Sequence, residues 1–124
     1  MRFTQDPSSA TRVIRAYGGG ELRINEDTYR ETVIVGANTV LTLPEIRNMN
    51  DLDGFDPARI LALDPELVLL GTGQRQIFPP AAFRAPYLSA GIGFEAMDTG
   101  AACRTFNVLV AEQRRVVALL MVLA

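Results

Sequence analysis

Two glycine-rich junctions hold the groups in this sequence that are best suited to binding a small ligand. In Leu67–Gln74 a hydrophobic run stops at Gly-Thr-Gly, and in Met97–Leu109 an Asp-Thr-Gly turn leads into a helical pattern. Such junctions expose backbone N–H groups, and the following helix directs the positive end of its dipole to the same place. The candidate residues of a site for a small anionic ligand are therefore Gly71, Thr72, Gly73, Arg75, Asp98, Thr99, Gly100, Cys103, Arg104 and Asn107.

The same junctions have a purely structural interpretation, which we favour. Asp98 or Thr99 can cap the helix that follows, while the glycines form tight turns. The Gly-Thr-Gly turn lacks the GxGxxG spacing of dinucleotide-binding loops, and no acidic residue stands where it would hold a ribose. A carboxylate or anion site would instead depend on the guanidinium groups of Arg75 and Arg104.

Cys103 also has two interpretations. A thiol near a helix N-terminus and beside Arg104 can have a lowered pKa and become reactive. A half-buried cysteine can equally behave as a small hydrophobic residue. We favour the second interpretation, because the chain contains no histidine or lysine that could activate the thiol.

The residue types that are missing narrow the possible chemistry. The chain has no histidine, and all 12 basic residues are arginines. This excludes Ser-His-Asp and Cys-His nucleophiles, imidazole metal sites, Schiff-base lysines and the lysine of a P-loop. The acid–base groups that remain are carboxylates, Cys103 and the tyrosines Tyr17, Tyr29 and Tyr87. The composition therefore leans against an enzyme, and no cofactor or metal is expected.

Length and charge indicate one α/β domain over residues 1–124, with residues 1–10 as a loose polar lead-in. The net charge of −2 lacks the basic excess that nucleic-acid binding requires. The single cysteine excludes an internal disulfide. The N-terminus has no apolar signal segment, and Val116–Leu123 is far shorter than the ~20 residues that cross a bilayer. We therefore expect a cytoplasmic protein without membrane insertion.

Hydrophobic patterning divides the chain into a β-rich front and an alternating rear. The front is expected to contain a hairpin around the glycines at 18–20, formed by Arg12–Tyr17 and Glu21–Asn25, followed by strands Thr28–Val35 and Thr39–Leu43. The rear is expected to contain helix Asp56–Asp64, strand Glu66–Leu70, helix Pro80–Gly91, strand Phe94–Met97, helix Thr99–Gln113 and strand Val116–Leu123. Pro86 is expected to split or kink its helix. The predicted fold is a layered mixed sheet with an N-terminal antiparallel hairpin region, followed by α-β-α-β-α-β with parallel strands.

Residues at helical spacing give Thr99–Gln113 three distinct faces. The core face contains Ala102, Phe106, Leu109 and Val110, the small polar face contains Gly100, Arg104, Asn107 and Ala111, and a flank contains Ala101, Thr105 and Val108. Little of this helix is suited to open water, which favours a partner surface.

Two loops complete the set of candidate features. The acidic stretch Asn48–Asp56 does not fit the EF-hand pattern and is expected to be a solvated loop ending in an Asp56 helix cap. Ile77 and Phe78, next to two prolines, could cover the crevice at the sheet edge or meet a partner. Packing onto the core is the favoured interpretation.

Two motifs, LLGTGQRQIFPP at Leu69–Pro80 and DTGAACRTFNVLVAE at Asp98–Glu112, together resemble a small single-domain family. Its members are bacterial and archaeal proteins of unknown function, and it includes a mitochondrial respiratory complex I assembly factor. The resemblance covers nearly the whole chain and implies a compact α/β fold with an N-terminal β-hairpin; it brings no established reaction. The motif residues it implies are Gly71, Thr72, Gly73, Arg75, Phe78, Pro79, Asp98, Thr99, Ala102, Arg104, Asn107 and Leu109.

We therefore expect a non-catalytic binding or assembly module that acts on a protein partner or as a homodimer. It would use the loops at the carboxyl edge of the sheet and the exposed flanks of Thr99–Gln113. The alternative is a protein or enzyme that binds a small anionic ligand at Gly71–Arg75 and Asp98–Arg104. Nucleic acid is not an expected partner of either.

Overall fold

The computed structural model describes residues 11–122, which form two sheets and three α-helices. The elements in chain order are β1 (Ile14–Gly18), β2 (Glu21–Ile24), β3 (Asp27–Tyr29), β4 (Val33–Gly36), β5 (Thr39–Thr42), α1 (Ala58–Leu61), β6 (Leu67–Gly71), α2 (Ala81–Ser89), β7 (Gly93–Met97), α3 (Thr99–Ala111) and β8 (Val116–Leu120). The predicted lead-in at residues 1–10 and the end of the last predicted strand, Leu123, lie outside the described residues.

The N-terminal hairpin forms as predicted. β1 and β2 pair antiparallel and are joined at Gly19 and Gly20, whose φ angles of 62° and 78° lie in the left-handed region. Two consecutive positive φ angles suit a two-residue hairpin turn, and glycine adopts them without steric cost. β3 then adds to β2 to complete a three-stranded sheet in the order β1-β2-β3.

The prediction of one strand over Thr28–Val35 is wrong, because this segment contributes to both sheets. β3 ends at Tyr29 in the three-stranded sheet, and β4 begins at Val33 in the five-stranded sheet. Between them, the hydroxyl of the buried residue Thr32 donates a hydrogen bond to the carbonyl oxygen of Ile46 at 2.7 Å. The uninterrupted β-branched composition conceals this transfer, since strand propensity does not report which sheet a residue joins.

The five-stranded sheet has the order β5-β4-β8-β6-β7. β6 pairs in parallel with both β7 and β8, as the alternating rear pattern predicts, while β4 pairs antiparallel with β5 and β8. All five residues of β8 are buried, which fits a central strand covered on both faces.

Two hydrophobic clusters cover the two faces of this sheet. On one face, α3 lies between the large sheet and the three-stranded sheet, so that Phe106 and Ala102 pack among residues of both sheets. On the other face, α1, α2 and a 3₁₀ turn at Met49–Leu52 cover Val68, Leu70 and Leu119. The three-stranded sheet therefore packs only in the α3 cluster, while the five-stranded sheet contributes to both clusters.

Two local predictions change in the structure. The first helix is short, since after Ala58–Leu61 the chain reaches Asp64 with a φ of 55° before Pro65. α2 continues through Pro86, which occupies its sixth position and is followed by further helical residues. The expected split at Pro86 is therefore wrong, because a missing N–H in a nine-residue helix removes a single backbone bond while Phe83 and Tyr87 remain packed in the core.

Hydrogen bonds of its own side chains order the acidic stretch Asn48–Asp56. Asn48 accepts hydrogen bonds from the backbone N–H groups of Asn50 and Asp51, and the Asp51 carboxylate accepts in return from the backbone N–H of Asn48. This reciprocal cap orders the turn without an ion. The predicted Asp56 cap is present, since its Oδ1 accepts from the Ala58 N–H at 3.0 Å.

Candidate functional site

The two glycine-rich junctions meet at the carboxyl edge of the parallel strands, as predicted. The N–H of Thr72 donates to the carbonyl oxygen of Met97 at 2.8 Å, and the N–H of Thr99 donates to the carbonyl oxygen of Gly73 at 2.8 Å. We call the segments Gly71–Gly73 and Asp98–Gly100 together the strand-end joint. Their backbones bond to each other and thereby hold the start of α3 against the end of β6.

The hydroxyl of Thr99 completes this joint from the inside. Its Oγ1 accepts a hydrogen bond from the Gly73 N–H and donates one to the carbonyl oxygen of Met121, both at 2.8 Å. A Cβ atom on Gly71 would lie only 3.1 Å from the Cα of Thr99 and 2.9 Å from Cδ2 of Leu120. The close approach explains the glycine at position 71 without any ligand.

The N-terminus of α3 is capped by its own chain. Oδ1 of Asp98 accepts a hydrogen bond from the Ala101 N–H at 2.8 Å, which is the standard N-cap geometry. The carboxylate thereby occupies the position at the positive dipole end that an external anion would otherwise take. The junction therefore forms the capped helix start that the structural interpretation predicts.

A cleft of about 300 Å³ opens beside the strand-end joint, beneath the tip of the β1–β2 hairpin. Of the predicted site residues, it brings together Gly73, Asp98, Thr99, Gly100 and Arg104. Sequence reasoning missed the rest of its wall. Most of it comes from the hairpin, through Tyr17, Gly18, Gly19, Gly20, Glu21 and Leu22, and the remainder is Gln74, Met121 and Val122. The glycine run did identify a hairpin, but nothing in the local pattern showed that its tip would fold over α3.

Tyr17 and Arg104 form the hairpin's contact with α3 at this cleft. A guanidinium nitrogen of Arg104 donates to the hydroxyl of Tyr17, and the guanidinium carbon lies 5.9 Å from the centre of the tyrosine ring. Gly100 makes room for the ring, since a Cβ there would approach Cε2 of Tyr17 to 2.6 Å. Arg104 therefore already has a hydrogen-bond acceptor within the protein.

The other predicted site residues lie away from the cleft. They are Gly71, Thr72, Arg75, Cys103 and Asn107, none of which is among its lining residues. The carboxamide of Asn107 forms two hydrogen bonds with the backbone of Ile14, accepting from its N–H at 2.9 Å and donating to its carbonyl at 2.8 Å. Asn107 therefore holds the edge of β1 on α3 in the manner of a neighbouring strand.

Cys103 belongs to the hydrophobic cluster around α3 and is almost completely buried. Burial raises the pKa of its thiol from 9.0 to about 12, and the neighbouring Arg104 offsets only part of this effect. A thiol in this environment stays protonated at neutral pH and is a poor nucleophile. The small-hydrophobe interpretation of Cys103 is the one that its surroundings support.

The sequence matches the family described as "Protein of unknown function (DUF498/DUF598)" over residues 14–121. The chain belongs to this family. The match runs from the first residue of β1 to the residue after β8, so it includes both sheets, the strand-end joint and the cleft.

Solved structures share the DUF498/DUF598 fold of this chain. A solution structure of a Bordetella pertussis protein described as a Mth938-like domain is 31% identical, covers 98% of this chain and 92% of its own, and superimposes with a TM-score of 0.75. A crystal structure described as an outer membrane protein from Bartonella henselae is 30% identical, covers 94% and 98%, and has a TM-score of 0.80. Both similarities extend over essentially the whole domain.

A relative from Francisella tularensis subsp. holarctica, named 13 kDa major membrane protein, is 29% identical over 119 residues, which are 94% of this chain and 95% of the relative. In this DUF498/DUF598 protein, none of the helices within residues 11–122 has the length and apolar character needed to span a membrane. A cytoplasmic location stays a prediction.

The loop Gln74–Pro80, which we call the Phe78 loop, leaves the strand-end joint on its way to α2. Ile77 is 39% exposed and Phe78 is 77% exposed, so the expectation that these side chains pack onto the core is wrong. The loop is nevertheless well anchored, because Oγ1 of Thr72 lies 2.5 Å from the carbonyl oxygen of Arg75 and accepts from the Ile77 N–H at 3.1 Å. Gln76 adds a hydrogen bond from Nε2 to the carbonyl oxygen of Ala96 at 2.8 Å.

Proposed function

We propose that this DUF498/DUF598 protein is a non-catalytic protein-binding module whose main contact surface is the Phe78 loop. The observation that carries the proposal is the 77% exposure of Phe78 on a loop anchored by Thr72 and Gln76. Aromatic side chains dominate the binding energy of many protein interfaces. A loop that is already ordered also loses less conformational entropy when a partner binds.

The groups around the cleft support a role without catalysis. Arg104 donates to Tyr17, and Asp98 caps α3, so both are engaged in structural contacts. Cys103 lies outside the cleft, and its pKa is raised to about 12 by burial. Nucleophilic catalysis needs an activated group, and a buried, protonated thiol that lies outside the cleft does not supply one.

The exposed flank of α3 offers a second contact area for the same partner. Val108 is 55% exposed, and it shares this flank with the partly buried residues Ala101 and Thr105. The finer form of this proposal is a role in assembling a larger complex. Such a role belongs to the respiratory complex I assembly factor in the family that the motifs resemble. A homodimer through the same flank is its simplest variant.

The test is affinity capture from cells that produce the tagged protein at native level, with captured proteins identified by mass spectrometry. The Phe78→Ala variant should lose a reproducible partner that the unaltered protein retains. Leu41→Ala is the matched control, because Leu41 is also an exposed apolar residue but lies on the distant edge strand β5. Val108→Ala reports whether the α3 flank contributes.

Two results would overturn the proposal. One is the absence of any reproducible partner when the protein is folded and abundant. The other is a partner that Phe78→Ala captures as well as the unaltered protein does. Circular dichroism of the purified variants separates loss of contact from loss of fold.

A second candidate function is the binding of a small anionic ligand in the cleft. Its support is the placement of five predicted site residues, Arg104 among them, around a cleft of about 300 Å³, the lower size limit of common small-molecule sites. A ligand would have to replace Tyr17 as the partner of the Arg104 guanidinium. The nearby carboxylates of Glu21 and Asp98 would restrict it to a compact anion that approaches from the Arg104 side.

A thermal-shift screen against anionic metabolites tests this candidate. A ligand at a hundredfold excess over its Kd stabilises the protein by about 2.7 kcal/mol, which shifts the melting temperature by several degrees. Arg104→Ala should abolish the shift, whereas Arg75→Ala should preserve it, because Arg75 does not line the cleft. A shift that both variants retain, or no shift with any anion, would exclude the cleft as an anion site.

A further inference from the structure

The surface that begins at the Phe78 loop has an unusual charge. From Leu67 to Phe94 the sequence contains two arginines, Arg75 and Arg84, and no acidic residue, although the chain as a whole has a net charge of −2. This stretch includes the Phe78 loop and all of α2. A cationic segment on an acidic protein can select an acidic partner by electrostatic attraction.

Arg75 and Arg84 are both exposed, and neither takes part in an ion pair among the described residues. The ion pairs involve arginines elsewhere in the chain, namely Arg30, Arg59, Arg114 and Arg115. Within residues 11–122, the charges of Arg75 and Arg84 are therefore available to a carboxylate from outside.

α2 presents these charges together with apolar surface. Its residues Phe83 and Tyr87 are buried, whereas Ala81, Arg84, Ala85 and Leu88, which share one face at helical spacing, are all exposed. Leu88 is 53% exposed. An acidic residue, Asp53, approaches α2 on another side, where it lines a small cavity with Ala82 and Pro86.

We propose that the Phe78 loop and the outer face of α2 form one docking surface for an acidic amphipathic protein segment. Apolar side chains of that segment would cover Phe78, Ile77 and Leu88, and its carboxylates would pair with Arg75 and Arg84. The loop runs directly into α2 at Pro80, so the two parts are continuous along the chain. This inference rests on the proposed function and adds the chemistry of the partner.

Charge argues for this occupant over two others. In a symmetric dimer the same patch meets itself, so a second copy would bring its own Arg75 and Arg84 against these two and add like-charge repulsion. For a lipid surface, two cations contribute only about 1 kcal/mol each, and stable membrane attachment needs a further strong signal. An acidic protein segment satisfies both the charges and the apolar residues.

The experiment is photo-crosslinking in cells, with a photoreactive phenylalanine analogue at position 78 of the full chain and sequencing of the crosslinked peptides. The expected peptides carry several Asp or Glu residues interspersed with apolar ones. The double variant Arg75→Gln/Arg84→Gln should lower the crosslinking yield about three- to tenfold. When a cell lysate is irradiated instead, raised salt during irradiation should lower the yield of the unaltered protein and have little effect on that of the double variant.

The double variant Arg15→Gln/Arg23→Gln is the matched control, since both arginines are exposed on the three-stranded sheet far along the chain from the Phe78 loop. It should leave the yield unchanged. Crosslinked peptides without acidic residues, or equal yields from both double variants, would overturn the inference while the proposed function stands. A crosslink to another copy of the chain would also overturn the inference. Crosslinks to lipid alone would overturn both the inference and the proposed function. So would a yield at position 78 no higher than that of the same probe at position 41.

Discussion

The strand-end joint and the Phe78 loop leave the same edge of the five-stranded sheet, yet their side chains have opposite roles. In the joint, the polar groups of Thr99 and Asp98 face the protein's own backbone. In the loop, the apolar side chains of Ile77 and Phe78 face solvent. The sequence favours the capping role that the joint has, but it also favours core packing for the apolar residues of the loop, which the structure leaves exposed.

The difference arises from what each segment has to satisfy. The joint brings the ends of β6 and β8 into the interior, where the N–H of Gly73 and the carbonyl of Met121 need hydrogen-bond partners. The Thr99 hydroxyl serves both. In the Phe78 loop every residue except Pro79 is exposed, and hydrogen bonds of Thr72 and Gln76 anchor it. Its apolar side chains are therefore not needed to hold the fold.

Among the polar contacts, the largest expected effect is at Thr99 in the joint. Thr99→Val keeps the shape of the side chain but removes the hydroxyl, which leaves the Gly73 N–H and the Met121 carbonyl without a partner in a buried place. Each unsatisfied buried group costs about 1–3 kcal/mol, so the two together should lower the free energy of unfolding by about 2–6 kcal/mol. Urea denaturation measures this directly.

Thr105→Val is the control on the same helix, because the Thr105 hydroxyl makes only a long contact of 3.5 Å with the sulfur of Met97. It should change stability by less than about 0.5 kcal/mol. Equal effects of the two variants would show that the joint does not depend on the Thr99 hydroxyl. The polar groups of the joint would then not be what holds this part of the fold.

The next effect concerns Asn107, a predicted ligand residue that instead holds β1 on α3. Asn107→Ala removes both hydrogen bonds to the backbone of Ile14, and we expect a loss of about 1–2 kcal/mol because this site is only partly buried and water can replace part of the interaction. Amide exchange at Ile14 should accelerate more than exchange at Leu69 in β6. Uniform acceleration would mean that the three-stranded sheet does not open separately.

A third prediction uses the buried thiol of Cys103. Because its folded-state pKa of about 12 lies above the ordinary value of 9.0, the unfolded chain loses this proton first as the pH rises. The thiol's contribution to stability is therefore complete below pH 9 and falls by about 1.4 kcal/mol per pH unit above it, until about pH 12. Cys103→Ala should lack this fall, so the stability gap between the two proteins should narrow between pH 9 and 10. A constant gap would show that the thiol titrates normally.

Sequence reasoning recovered the parts of this molecule that depend on local pattern. The Gly19–Gly20 hairpin turn and the Asp98 cap follow from residues within one turn. The parallel arrangement of β6, β7 and β8 follows from the alternation of helices and strands in the rear of the chain. The cleft wall from Tyr17 to Leu22 could not be predicted, since it depends on the three-stranded sheet packing on α3.

The exposure of Phe78 was missed for a related reason. Hydrophobicity indicates which side chains benefit from burial, but only the completed packing shows which of them find a place in the core. The same limit applies to the Thr28–Val35 segment, where the local pattern is that of a strand and the division between two sheets is decided by distant partners.

The smallest expected change in stability is in the Phe78 loop. Since Phe78 is 77% exposed, truncating it to alanine removes little buried apolar surface, and the unfolding free energy should change by less than about 0.5 kcal/mol. Phe83, which is 8% exposed on α2, provides the contrast, because Phe83→Ala should cost about 3–5 kcal/mol. A large loss on Phe78→Ala would mean that the ring stabilises the folded chain, and its exposure would then no longer argue for a partner. If Phe78→Ala leaves the free energy of unfolding unchanged but loses the captured protein, then Phe78 serves binding and not folding.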